Sequence, residues 1–261
     1  MSAEYCLIFI KKILSLGLAI HTLEFIALKD SFSSNGIWRW SEIKTEHSFL
    51  KRLDFLFIKD LNFSLFLWTR FIASLSFFLF PHFGILVIFL FFSTLALALR
   101  FRGSFNGGSD YMALLILLAL SVEAVHPTEK IQLGIIWYIA LQVSSSYFIA
   151  GLVKIKQNAW RNGNALIQFI HSPNYNPPLL IKKILSNKAA SFLCSWFVII
   201  FEITFPLAII GGNQFIFIWL FLGLLFHFVN VLLFGLNRFL IIWVATYPAL
   251  YYVAMTLLSP N

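Results

Sequence analysis

The chain has 261 residues, of which 60% are hydrophobic and 11% charged, with a mean hydropathy of +0.85 and a net charge of +8. A soluble domain carries roughly 25% charged residues, so the composition excludes an ordinary soluble enzyme. It predicts an all-α polytopic membrane bundle, a single transmembrane domain over 1–261 embedded in the lipid bilayer. In such a protein a basic excess belongs to loops beside anionic lipid, and no aromatic-basic strip points to a nucleic-acid partner.

A spanning helix needs about 20 apolar residues, and eight stretches qualify: 6–28, 62–80, 83–99, 110–126, 131–153, 189–210, 214–234 and 238–258. The prediction is therefore about eight transmembrane helices, with a range of six to eight. The first contains Lys11 and Lys12, which weaken it, and His21 and Glu24. No small-residue cleavage site follows it, so it reads as a retained helix and not as a signal peptide. Residues 29–61 leave the bilayer, with a turn at Ser33-Ser34-Asn35-Gly36 and interface aromatics Trp38 and Trp40. Pro81 folds the second span, which carries Arg70, into a tight hairpin with the third. Such intramembrane charges are functional candidates; the alternative is mutual neutralisation, Arg70 with Glu123 of the fourth span or with Glu24 holding the bundle together.

Arg100, Arg102, Gly103, Asn106, Gly107, Gly108, Ser109 and Asp110 lead into the fourth span. Ser109 or Asp110 suits an N-cap. Arg100 and Arg102 beside the free amides of that helix end suit an anion such as a carboxylate; the alternative is a capped helix with basic anchors. After the turn at His126-Pro127-Thr128-Glu129, the fifth span runs into a polar stretch, 154–188, in which Leu179–Leu185 with Lys182 and Lys183 is expected to lie flat at the interface. In the sixth span Glu202 lies four residues before Pro206, whose missing N–H frees the carbonyl of residue 202 and kinks the helix. The seventh holds His227, with Asn230 one turn on, an amide placed to fix the imidazole tautomer, and Gly223 on the same face. Lysines and arginines gather in the odd-numbered loops, which places those loops in the cytoplasm.

Two cysteines, Cys6 and Cys194, stand far apart with no CxxC, which sets aside a disulfide framework and thiol-redox chemistry. HExxH, GxSxG and Walker-type loops are missing, and no metal site is expected. The informative residue is Lys154, at the inner end of an apolar run. An ammonium there is paired, snorkels to the headgroups, or is used in chemistry. Tyr147, Gly151, Lys154 and Asn158 recur at helical spacing and are expected on one face, the glycine leaving room for a close neighbour or ligand.

The run Tyr147-Phe148-Ile149-Ala150-Gly151-Leu152-Val153-Lys154, with Trp160 and Gly163 downstream, resembles the corresponding helix of vitamin K-dependent gamma-glutamyl carboxylases. It also resembles the wider family of horizontally transferred transmembrane (HTTM) domains, which includes bacterial sporulation-delaying toxin maturation proteins. Phe226-His227-Phe228-Val229-Asn230 is similar to a second segment of that family. The resemblance implies a bacterial plasma-membrane protein and, in its carboxylase branch, a lyase-type reaction with a reduced quinone of the vitamin K type as cofactor and Lys154 as its base. The carboxylases carry two adjacent lysines where this chain has Val153-Lys154, and a histidine where it has Ser109.

The leading expectation is thus a membrane protein of peptide modification or maturation, acting on a peptide substrate with other maturation proteins as partners. Lys154 and His227 are its expected catalytic residues, and Tyr147, Gly151, Asn230, Glu202, Arg100, Arg102 and Asp110 its substrate-binding residues. The alternatives are a non-enzymatic quinone- or lipid-binding subunit and a minimal gamma-glutamyl carboxylase.

Overall fold

The computed structural model describes residues 1–46, 48–101 and 108–257, and among these the regular structure is helical throughout. Six helices are long and apolar enough to cross a membrane, and a seventh span is present if one bent pair is counted as a unit. The chain divides into two compact units, Leu7–Ile135 and Ile136–Asn261, the latter joined by Met1–Cys6.

The N-terminal unit takes its frame from four apolar helices: α1 (Ala3–Ala27), then three short helices, α2 (Lys29–Phe32), α3 (Trp40–Ile43) and α4 (Asp54–Phe57), then α5 (Asp60–Leu79), α6 (Gly84–Phe101) and α7 (Gly108–Val125). The lysines within α1 are accommodated by partners. Lys11 Nζ lies 2.8 Å from Oε2 of Glu123, and Lys12 Nζ stands 5.5 Å over the ring of Phe78. Burying an unpaired ammonium in such a helix is costly; pairing removes that objection. Glu123 is therefore bound to Lys11 and not to Arg70. The fully buried Arg70 donates instead to the Leu18 carbonyl at 3.2 Å, the Thr22 hydroxyl, and the Thr94 hydroxyl at 3.0 Å.

Residues 29–46 and 48–57 form a folded cap on this unit. Its core joins Phe32, Trp40, Ile43, Leu50 and Phe57 to Phe25, Phe63 and Leu67 of the long helices. Trp40 Nε1 donates to Asp54 at 2.6 Å and Lys44 Nζ donates to the same carboxylate at 3.1 Å. These donors hold the Asp54 carboxyl below the usual carboxylate range, the indole N–H most strongly.

The C-terminal unit begins in α8 (Glu129–Lys156), followed by α9 (Asn158–Arg161), α10 (Asn164–His171), α11 (Leu179–Ser186), α12 (Lys188–Thr204), α13 (Leu207–Ile210), α14 (Gly212–Phe234), α15 (Asn237–Val244) and α16 (Tyr247–Leu257). Two predicted spans are interrupted. The sixth breaks after Thr204, at the expected kink, because Pro206 has no N–H for the next helical bond. The eighth breaks at Ala245-Thr246, where Pro248 likewise lacks the donor that the Val244 carbonyl would need. Asn187 caps α12, its side-chain oxygen accepting from the amides of Ala189 and Ala190 at 3.0 and 3.1 Å.

The outward surface of α14 shows what surrounds it. Phe215–Phe234 is the most apolar of the candidate spans, yet only 22% of it is buried within the protein. A soluble fold would hide such a helix; one whose apolar side chains face outward is solvated by lipid.

Candidate functional site

Helix α8 carries the principal residues. Gly151 sits where α8 crosses α12: a β-carbon there would lie 2.7 Å from Ile203 Cγ1, 2.8 Å from the Ile203 amide nitrogen and 3.0 Å from Glu202 Cβ. Only glycine permits this approach. One turn further along α8, Lys154 Nζ reaches both Oε1 and Oε2 of Glu202 at 2.8 Å and stands 5.2 Å over the Trp160 ring. The Lys154 side chain is 19% exposed and that of Glu202 only 3%. The predicted polar pocket beside Pro206 is thus occupied on one side by a bidentate ion pair. Lys154 lies within α8, which runs past the predicted end, whereas Asn158 does not share its face. Gln157 breaks the helix and Asn158 starts α9.

Gly163 holds the turn beneath Trp160. Its φ is +80°, a left-handed conformation, and a β-carbon would lie 2.7 Å from the Phe192 amide nitrogen. Its carbonyl accepts from the Ser191 hydroxyl at 2.7 Å, which ties the loop to α12.

Two turns before Lys154, the Tyr147 hydroxyl is hydrogen-bonded to Nε2 of His227 on α14. His227 is completely buried. Its ring lies parallel to that of Trp243 at 5.3 Å and edge-on to Phe239 at 4.9 Å, while Tyr147 stacks on Phe205 at 3.8 Å. Asn230 is half-buried one turn along α14, but Nδ1 of His227 has no hydrogen-bond partner, so Tyr147 and not Asn230 orients the imidazole. The Trp243 indole N–H is also buried without a partner, and the buried Tyr247 hydroxyl interacts with that of Tyr147. Gly223 permits the close packing of Tyr247: a β-carbon there would lie 2.6 Å from the Tyr247 hydroxyl and 3.5 Å from that of Tyr147.

Helices α8 and α12 link the two features. Glu202 pairs with Lys154, while Phe201 of α12 and Phe205, just past its end, pack on Tyr147. Lys154, Gly151, Tyr147, Glu202 and His227 therefore belong to one constellation. Trp243, Tyr247 and Phe205 complete it and were not singled out in the sequence. The available signal was the spacing of Trp243 and Tyr247, one helical turn apart, but in a chain with 18% aromatic residues an aromatic pair carries little contrast.

The remaining predicted residues fall in the N-terminal unit. The buried Arg100 donates to the carbonyls of Phe32 at 3.0 Å and Trp38 at 3.3 Å, and its guanidinium lies 4.5–5.5 Å from the rings of Phe63, Phe57 and Trp40. It clamps the cap of that unit. Asp110 lies in the first turn of α7, with Oδ1 3.9 Å from Nε2 of His21. Arg102 lies outside the described residues. Among the described residues no three His, Cys, Asp or Glu side chains stand together as a metal site.

No curated protein and no solved structure matches the chain. The family model of the HTTM domain matches residues 119–254, just over half of the 261, and that segment contains every member of the constellation around Lys154 and His227. The chain is an integral membrane protein that belongs to the HTTM domain family.

Proposed function

We propose that this chain is a membrane enzyme of peptide modification or maturation, with the reaction centred on the His227–Tyr147 pair. The observation that carries the reading is the unpartnered Nδ1 of His227, buried in one aromatic cluster with the unpartnered indole N–H of Trp243. A buried polar atom without a partner costs about 1–3 kcal/mol, and native interiors satisfy nearly all of theirs. Two within one aromatic cluster suit a polar group of a substrate. An imidazole with one nitrogen anchored and the other open is suited to accept or deliver a proton. Lys154 and Glu202 act beside it as a fixed pair of charges on the same two helices, placed to orient a polar or charged substrate group.

The carboxylase branch of the family suggests a second reading, with a reduced quinone as cofactor. The residues fit such a group in part. The rings of Tyr147, Phe205, Phe239 and Trp243 suit a planar molecule, and the open indole N–H of Trp243 suits one of its oxygens. In the carboxylases the reduced quinone, on reaction with oxygen, supplies the strong base. Lys154 departs from the base role that the resemblance assigns to it, because its amine is engaged by both oxygens of Glu202. On this reading too, the chain's own residues bind and orient; His227 holds the proton.

The test is mass spectrometry of peptides from cells expressing the chain, His227→Gln or Lys154→Met. A mass change that requires His227 and weakens in Lys154→Met is expected. A peptide profile identical with and without the protein excludes peptide modification, and full activity of His227→Gln removes the assigned role. Labelled carbon dioxide entering a glutamate-containing peptide only with reduced vitamin K would select the carboxylase reading.

A further inference from the structure

We infer that the segment between α8 and α12 is an interfacial foot that binds the headgroups of anionic phospholipid. The first observation is charge. From Lys130 to Phe201 the chain contains no Asp or Glu, while residues 154–188 contain Lys154, Lys156, Arg161, Lys182, Lys183 and Lys188. Lys154 is neutralised by Glu202. The others form no ion pair within the described residues, so the surface is basic with no internal counter-charge. Its complement is an anion supplied from outside.

The second observation is the direction of α11, which is bent by 97° from α12. Taking α12 as the crossing part of this bent pair, the bend lays α11 in the plane of the membrane. The joint is a designed one, since Asn187 both ends α11 and caps α12.

The third is how the apolar arc of α11 is divided. Leu185 and Ile181 pack into the cluster of Leu166, Ile170 and Leu233. Leu180 and Ile184, on the adjoining part of the arc, remain 69% and 49% exposed. Lys182 and Lys183 occupy the opposite, polar arc. A helix seated between protein and water would show polar residues beside its buried stripe. One seated at a bilayer surface shows this arrangement: one apolar side on protein, the next in the acyl boundary, and lysines at headgroup level. The occupant is therefore the surrounding leaflet and specifically its anionic lipid, since neutral headgroups would leave the lysines uncompensated.

The experiment uses the full chain in nanodiscs of phosphatidylcholine alone or with phosphatidylglycerol. Spin labels are placed at Leu180→Cys or Lys183→Cys with Cys6→Ala and Cys194→Ala. The label at 180 is expected to be accessible to oxygen and shielded from a water-soluble relaxant, and that at 183 to sit at headgroup depth. Co-purified phosphatidylglycerol is measured by native mass spectrometry. Neutralising a juxtamembrane lysine reduces preference for anionic lipid about fivefold, so Lys182→Gln/Lys183→Gln/Lys188→Gln should lower it by roughly a hundredfold. These side chains hold no internal partner, and a melting curve checks that the variant is folded. A water-exposed label at 180 in both discs overturns the interfacial placement. Lipid preference unchanged in the triple variant overturns the headgroup assignment, as does displacement of phosphatidylglycerol by an acidic peptide alone.

Discussion

Replacing Lys154 and Glu202 separately and together separates what the pair does for folding from what it does for chemistry. Lys154→Met leaves a carboxylate that is only 3% exposed without its two bonds of 2.8 Å. Removing one partner of a buried pair typically costs about 3–5 kcal/mol. Glu202→Met should cost less, about 1–3 kcal/mol, because the Lys154 side chain is 19% exposed and keeps its contact with Trp160. Replacing both with methionine removes the two charges from an apolar setting and should be nearly neutral. The cycle therefore predicts a coupling energy of about 4–8 kcal/mol, since the double variant recovers nearly all that the two single ones lose. Unfolding of the purified chain in mixed micelles, followed by tryptophan fluorescence, measures all four forms. Additive single effects, within about 0.5 kcal/mol, would refute the pair as an energetic unit. The double variant should be folded and inactive; full activity in it would show that the pair only holds α8 to α12.

Gly151→Ala should destabilise the chain by about 1–3 kcal/mol, because the new methyl meets the Ile203 backbone nitrogen at 2.8 Å, an atom that cannot swing away; a melting temperature equal to that of the parent would count against the close crossing. Gly223→Ala should behave differently, since the obstacle at 2.6 Å is the end of the Tyr247 side chain. Stability should change by less than about 1 kcal/mol while activity falls, and Tyr247→Phe in the same chain should relieve the crowding. Asp54 supplies a pH dependence. Its folded carboxyl is held below the unfolded value of about 3.9 by Trp40 and Lys44, so its contribution is complete above that value and is lost as pH falls through the lower folded one. Hydrogen exchange across 38–57 should accelerate on acidification below about pH 4 in the parent chain but show no such added step in Asp54→Asn; identical acid profiles would refute the contact.

Much of this architecture is legible in the chain because bilayer thickness imposes a length on each span. Six of the eight predicted spans coincide with a single apolar helix and the sixth and eighth each with a broken pair, the Pro206 break being legible from its missing donor. Pro248 acts in the same way, yet in its apolar setting the break passed unnoticed. Lys11 and Lys12 made α1 look doubtful because their partners, Glu123 and Phe78, lie on other helices, and pairing across helices has no local signature. The same holds at the site. Lys154 and Glu202 were each conspicuous as charges in apolar runs, but 48 residues separate them and nothing in either run announces the other. Asn158 was misplaced because helical spacing continues on paper through Gln157, where the backbone turns.

The use of buried polarity differs between the two units. In the N-terminal unit the buried cations are spent on structure: Lys11 on Glu123, Arg70 on two threonine hydroxyls and a carbonyl, and Arg100 on two carbonyls and three rings. Each resolves a desolvation cost that the sequence created. In the C-terminal unit His227 Nδ1 and Trp243 Nε1 are left open within one aromatic cluster. Selection for stability alone would have replaced such groups, because apolar isosteres avoid the penalty of about 1–3 kcal/mol for each. Their retention in a site framed by glycines at the 151 and 223 positions is accounted for if the missing partners belong to a substrate, which recovers the penalty when it binds. A ligand of this site should therefore raise the melting temperature of the parent chain, and should raise it much less in His227→Phe, where one of the open atoms is gone.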